Sequence, residues 1–229
     1  MSTANAELNL PRTRVFSGED ADRELASRDL RAGLFLSALQ EGNDRRAACT
    51  AMHPKTYPGQ KMWAETLAAL RALCIGESRG WEIGSTGNYE TVFSPKQRIA
   101  IAVVGSDPFT GVKGFRDPCV TRARGPKTTK RVIQNRQGQL LFDLPSIADT
   151  EDITDENCDT WFFLSNAREG KLYSELSLPV GGETARINQW AMRILFTPLT
   201  LDHAVTPVAP DFQESEVPEI KVGRRGNSD

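Results

Sequence analysis

The sequence predicts an α+β fold in which two N-terminal helices pack on a mostly antiparallel sheet. Three observations carry this expectation. Apolar residues recur at helical spacing through two segments before Gly76. From Gly80 the pattern changes to short alternating or wholly apolar runs punctuated by turn residues. The chain has 229 residues, 39% hydrophobic and 25% charged, which is ordinary globular composition and enough for one good core.

Residues 1–18 are polar and aperiodic, and are expected as a loose arm before one domain spanning 19–203. Ser17, with an acid three positions on, offers a start resembling a capping box. A helix through "ADRELASRDLRAGLFLSALQ" is anchored by Leu25, Leu30, Leu34 and Leu39, and Gly42 and Asn43 are placed to stop it. "MHPKTYPG" is a connection. The second helix, "QKMWAETLAALRALCIG", repeats Trp63, Leu67, Leu70 and Cys74 on one side and ends at Gly76.

"WEIGS", "ETVFS" and "RIAIAVVG" read as strands; the unbroken apolar run of the last predicts a strand covered on both faces. Residues 105–131 read as a linker rich in Gly, Pro and Lys/Arg. "VIQNRQGQLLFDL" is either a short helix leading into a strand or a hairpin. "TWFFLSNAREGKLYSELSLPV" is a hairpin turning at "NAREGK", and "RINQWAMRILFTPL" is a last strand or a short helix. Residues 204–229 are proline-bearing and polar, a disordered tail.

No stretch approaches the ~20 apolar residues of a membrane helix, and the N-terminus lacks the apolar core of a secretory signal, so the expected compartment is the cytoplasm. Cys49, Cys74, Cys119 and Cys158 form no CxxC pair, and His53 and His203 are the two histidines, so neither a zinc site nor any cofactor is expected. Charge is distributed unevenly within a net of −2. Eight basic residues (Lys113, Arg116, Arg122, Arg124, Lys127, Lys130, Arg131, Arg136) face one acid, Asp117, between 113 and 136; seven acids and no base follow from Asp143 to Asp159. Blocks of opposite sign either neutralise one another across the fold or face different partners.

Lys and Arg laid along phosphates supply the sequence-independent part of nucleic-acid affinity. Lys113, Arg116, Arg122, Arg124, Lys127, Lys130 and Arg131 are the candidate contacts with DNA or RNA. The strip offers Phe115 as its one aromatic, so base stacking within it is poorly supported. The competing reading is a solvated loop neutralised by the acids downstream. "QLLFDL" resembles the hexapeptide form of bacterial sliding-clamp-binding motifs, with Gln139, Leu140, Phe142 and Leu144 as candidate partner contacts. The same period-two pattern is that of a half-buried strand.

In "GSDPFTG", Asp107 reads as a turn residue; in a metal-dependent phosphodiester hydrolase Asp107, Glu90 or another strand-end acid would hold the divalent ion. Cys49 and His53, four apart, would share a helix face as a thiolate–imidazole pair, but Pro54 follows directly. The acidic "DTEDITDEN" lacks the glycine and terminal glutamate of a calcium loop.

"DRRAACTAMHPKTYPGQKMWAETLAALRAL", "GWEIGSTGNYETVFSP", "RIAIAVVGSDPFTG", "RGPKTTKRVIQNRQGQLLFD" and "TWFFLSNAREGKLYSELSLP" together resemble a family of bacterial proteins from plasmids, integrative elements and prophages. The resemblance runs from about residue 44 to 200. It implies a bacterial, mobile-element setting and no catalytic residue. The expected function is that of a non-enzymatic accessory protein contacting nucleic acid or a protein partner. A nuclease-like hydrolase and a partner adaptor built on "QLLFDL" are the alternatives.

Overall fold

The computed structural model describes residues 12–76, 80–114, 116–123, 125–140, 153–183 and 186–201. Among them four α-helices and eight strands form an α+β architecture. In chain order they are β1 (Arg14–Phe16), α1 (Glu19–Ala26), α2 (Ala32–Ala47), α3 (Tyr57–Gly76), β2 (Glu82–Gly84), β3 (Thr91–Ser94), β4 (Ile99–Gly105), α4 (Pro126–Leu140), β5 (Asp159–Arg168), β6 (Lys171–Glu183), β7 (Arg186–Leu195) and β8 (Leu199–Thr200). The sheet runs β1-β7-β6-β5-β4-β3-β2, with β8 also on β6. It is mostly antiparallel; β1–β7 and β4–β5 are its parallel pairs. None of the described helices is long and apolar enough to cross a membrane.

The first expected helix is two. Asp29 adopts φ 56°, a left-handed conformation that aspartate tolerates better than most residues. The Leu30 N–H returns to Leu25 O at 3.0 Å, closing α1 in the manner of a Schellman turn. Leu25, Leu30, Leu34 and Leu39 are all buried, so the apolar spacing survives the break. Ser17 does not cap α1. Gly18 holds the cap position at φ 58° with no side-chain hydrogen bond, a geometry suited to glycine. Residues 14–16, inside the stretch expected as an arm, pair with β7 at the sheet edge; residues 1–11 lie outside the described residues.

Gly42 does not stop α2, which continues to Ala47. It instead lets α2 and α3 approach closely: a Cβ there would collide with Thr66 Oγ1 and come within 2.8 Å of Met62 O. Gly42→Ala is therefore expected to lower stability by about 1–3 kcal/mol, read as a fall in denaturation midpoint at unchanged m-value.

β4 is covered on both faces, as its apolar run predicts. Ile99, Ile101 and Val103 join Phe35, Leu39, Leu70, Trp161, Phe163 and Leu176 under α1–α3. Ala102 and Val104 join Phe162, Leu164, Val120, Val132 and Trp190 on the opposite face, beneath α4 and the 106–120 loop. The expected hairpin is β5–β6, turning at Glu169 and Gly170, and "RINQWAMRIL" is the strand β7.

The largest departure is α4. Residues 126–131 are helix and not linker, and "VIQNRQGQL" continues it. Its buried side is mainly polar and its groups are satisfied. Asn135 donates from Nδ2 to Thr160 O (2.8 Å) and Pro179 O (2.9 Å), and its Oδ1 accepts the Thr160 N–H at 2.9 Å. These bonds fasten α4 across β5 and β6 in a way that apolar periodicity cannot signal.

Candidate functional site

A cleft of about 1030 Å³ opens at the carboxyl ends of the parallel strands β4 and β5. This is where sheets with parallel strands often hold ligands. Its volume is at the top of the ~300–1,000 Å³ range of small-molecule sites. Five segments build it, together with Arg46 of α2. Ala102–Ser106 and Ser165–Ala167 form the floor, and the first half of α3 forms one wall. Asn88–Glu90 and the stretch from Thr121 into the first turn of α4 close the remaining sides.

Among the described residues three cations line this cleft: Arg46, Lys61 and Arg122. Arg46 is half-buried at the end of α2. Its guanidinium donates to Asn43 Oδ1 at 3.1 Å, while its Nε is buried with no hydrogen-bond partner among the described residues. Burial lowers its pKa from the ordinary arginine value. Lys61 lies 5.8 Å from the Tyr57 ring centroid, and Arg122 is exposed. None of the three makes an ion pair among the described residues. Two carboxylates are also present. Glu65 is half-buried, and Glu90 is bound to Arg71 at 2.7 Å.

Aromatic groups share the walls. The Trp63 indole N–H donates to Val103 O at 3.1 Å, which fixes the ring on the cleft wall while 43% of the residue stays exposed. Tyr57 stacks on His53 with centroids 5.0 Å apart and planes 4° from parallel. Tyr89 carries the Arg131 guanidinium 4.5 Å from its centroid.

The basic segment is thereby divided. Arg131, expected among the phosphate contacts, is a correction: it is 4% exposed and bonded to Asp155, itself 2% exposed. Its Nη2 reaches Asp155 Oδ2 at 2.8 Å and its Nη1 reaches Asp155 O at 2.6 Å. Asp155 also accepts from Thr86 and Thr91. Here one member of the acidic block does neutralise one member of the basic block. Arg116 pairs with Asp107 at 3.3 Å and lies over Phe109. Lys127 donates to the Gly87 carbonyl. Lys113, Arg122 and Lys130 are exposed and without an ion pair among the described residues. Arg124 and Phe115 lie outside the described residues.

Gln139 and Leu140 form the last turn of α4, a helical setting and not the extended one a clamp-binding peptide adopts; Phe142 and Leu144 lie outside the described residues. Asp107 makes the turn expected of it, accepting the Phe109 N–H at 3.1 Å, with its other oxygen on Arg116. With Glu90 bound to Arg71, both proposed metal-holding acids are engaged by protein groups. Among the described residues no group of three or more His, Cys, Asp or Glu side chains is placed to hold a metal ion. Cys49 lies beyond α2 with its thiol on Arg45 O, and His53 Nδ1 accepts the Thr50 N–H, so the two do not pair. Cys158 is buried, which pushes its thiol up to about 11.

Sequence reasoning missed the cleft itself. Its cations and aromatics come from α2, α3, the β2–β3 connection and the stretch before α4, and no local motif joins them. Comparison of the chain with family models, curated proteins and solved structures finds no match in any of the three.

Proposed function

We propose that the protein is a non-enzymatic, nucleic-acid-contacting accessory protein of a bacterial mobile element, and that it engages phosphates through the cations around this cleft. The observation that carries the reading is the convergence of Arg46, Lys61 and Arg122, none ion-paired among the described residues, at the carboxyl ends of β4 and β5. Lys127 and Lys130, in the first turns of α4, extend the positive surface beyond the rim. No acid lies in the first turn of that helix, so its N-terminal dipole adds to the attraction for an anion. The contacting set differs from the linear strip: Arg131 and Arg116 serve the fold, and Arg46 and Lys61 join from other elements.

The test is a triple charge reversal, Lys61→Glu, Arg122→Glu and Lys130→Glu, read by fluorescence anisotropy with labelled DNA and RNA. Affinity is expected to fall at least tenfold at low salt. Each substitution should change stability by no more than about 0.5 kcal/mol, since Arg122 and Lys130 are exposed and Lys61 is half-buried on the cleft wall, away from the core. Binding that survives the reversal overturns the proposal.

A further inference from the structure

We infer that the cleft receives an unpaired nucleotide, its base against Trp63 and its phosphate toward Arg46, Lys61 and Arg122. This rests on the reading above and specifies which form of nucleic acid it concerns. Base faces are available for stacking only when the strand is unpaired; in a duplex they are covered by their neighbours. Cations alone would serve either form, so the aromatic wall decides between them.

Trp63 is unusual in this chain. Trp81, Trp161 and Trp190 are 5%, 2% and 2% exposed and belong to the core, whereas Trp63 is 43% exposed. An indole left this open on a helix would ordinarily be free to turn. Its N–H bond to Val103 O instead fixes it on the cleft wall, so it offers a surface already oriented before a ligand arrives, which reduces the ordering cost of binding. Lys61, two residues earlier on α3, lines the same cleft.

Three polar atoms of cleft-lining residues have no hydrogen-bond partner among the described residues. Asn166 donates from Nδ2 to Ser106 O at 2.8 Å, yet its Oδ1 is buried without a partner, as are Arg46 Nε and Thr66 Oγ1. A buried polar atom without a partner calls for a ligand or water to complete it. A base edge with its phosphate carries both kinds of group, and reaches these solvent-shielded atoms when the side chains around them shift.

The chemistry is shared by a strand and a free nucleotide, and the experiment separates them. The full chain is titrated with a single-stranded oligonucleotide, a blunt-ended duplex of two separate complementary strands and a nucleoside monophosphate, reading tryptophan emission and anisotropy together. The single strand is expected to quench the emission of the exposed tryptophan, and the duplex is not. Trp63→Leu should weaken single-strand affinity roughly tenfold or more, with Trp63→Phe, which keeps a ring, falling between. Circular dichroism of both variants establishes that they fold. Quenching that saturates as tightly with the monophosphate identifies a free nucleotide, and tighter binding of the oligomer identifies a strand; both support an unpaired base. Equal binding of duplex and single strand, unaffected by Trp63→Leu but lost on the triple charge reversal, overturns this inference and leaves the phosphate reading intact. Binding of none of the three overturns both.

Discussion

Replacing Arg193 with methionine is expected to cost about 3–5 kcal/mol, because it strands a buried carboxylate. Arg193 on β7 is 1% exposed and Glu175 on β6 is 0% exposed. The guanidinium meets Glu175 twice, from Nε to Oε1 at 2.9 Å and from Nη2 to Oε2 at 2.6 Å. It reaches Asp117 at 2.9 Å and Val112 O at 3.1 Å as well. Burial works against the arginine charge, and the bond to Glu175 with the two carboxylates more than offsets it, holding the pKa above its ordinary value.

Without Arg193, Glu175 retains the Gly111 N–H and the Ser177 hydroxyl but no counter-charge. The 106–120 loop also loses its fastening to the sheet, apart from bonds such as Trp190 Nε1 to Pro118 O at 2.9 Å. Denaturation midpoints check this. The double variant Arg193→Met, Glu175→Leu should recover much of the loss, since apolar replacement of a whole buried pair is often neutral. A single variant as stable as the parent would show that the pair is not a fold determinant.

The second large effect separates folding from binding within the basic segment. Arg131→Glu places a carboxylate against buried Asp155 and removes the cation from over Tyr89. A loss of roughly 3–5 kcal/mol is expected, or about 6–20 °C in melting temperature for a chain of this size. Arg122→Glu, a few residues earlier and exposed, should leave the melting temperature nearly unchanged. Differential scanning fluorimetry of the two variants side by side checks the contrast. Equal melting temperatures would return Arg131 to the solvent-facing strip that sequence alone suggests.

Much of the sheet was legible because strand patterning is local. Val92, Phe93 and the Ile99–Val104 run announce β3 and β4, and the turn at Glu169 and Gly170 joins the alternating arms of β5 and β6. Helix α3 was equally clear from Leu67, Leu70 and Cys74. The break between α1 and α2 was not, since Asp29 turns left-handed inside an uninterrupted apolar period. Gly42 resembled a stop and proved to be a contact, because a glycine needed for close helix approach has the same letter as one that ends a helix.

Helix α4 was hidden for a different reason. Its buried positions include Thr128, Arg131 and Asn135, residues that read as loop or surface until Asp155 and Thr160 appear beside them. The candidate site was the least legible. The basic residues were visible as a block, but which of them the fold consumes depends on partners tens of positions away. Arg46, Lys61 and Trp63 lie in segments that read simply as helix and connection.

The most direct measurement is the affinity of the full chain for a labelled single-stranded oligonucleotide at two salt concentrations. If about three phosphates are neutralised by the cations the fold leaves free, log affinity falls against log salt with a slope of about −2. In the Lys61, Arg122 and Lys130 charge-reversed variant, affinity should fall at least tenfold and the slope should flatten while the melting temperature holds. No binding at low salt, or the same slope in the variant as in the parent, contradicts the account.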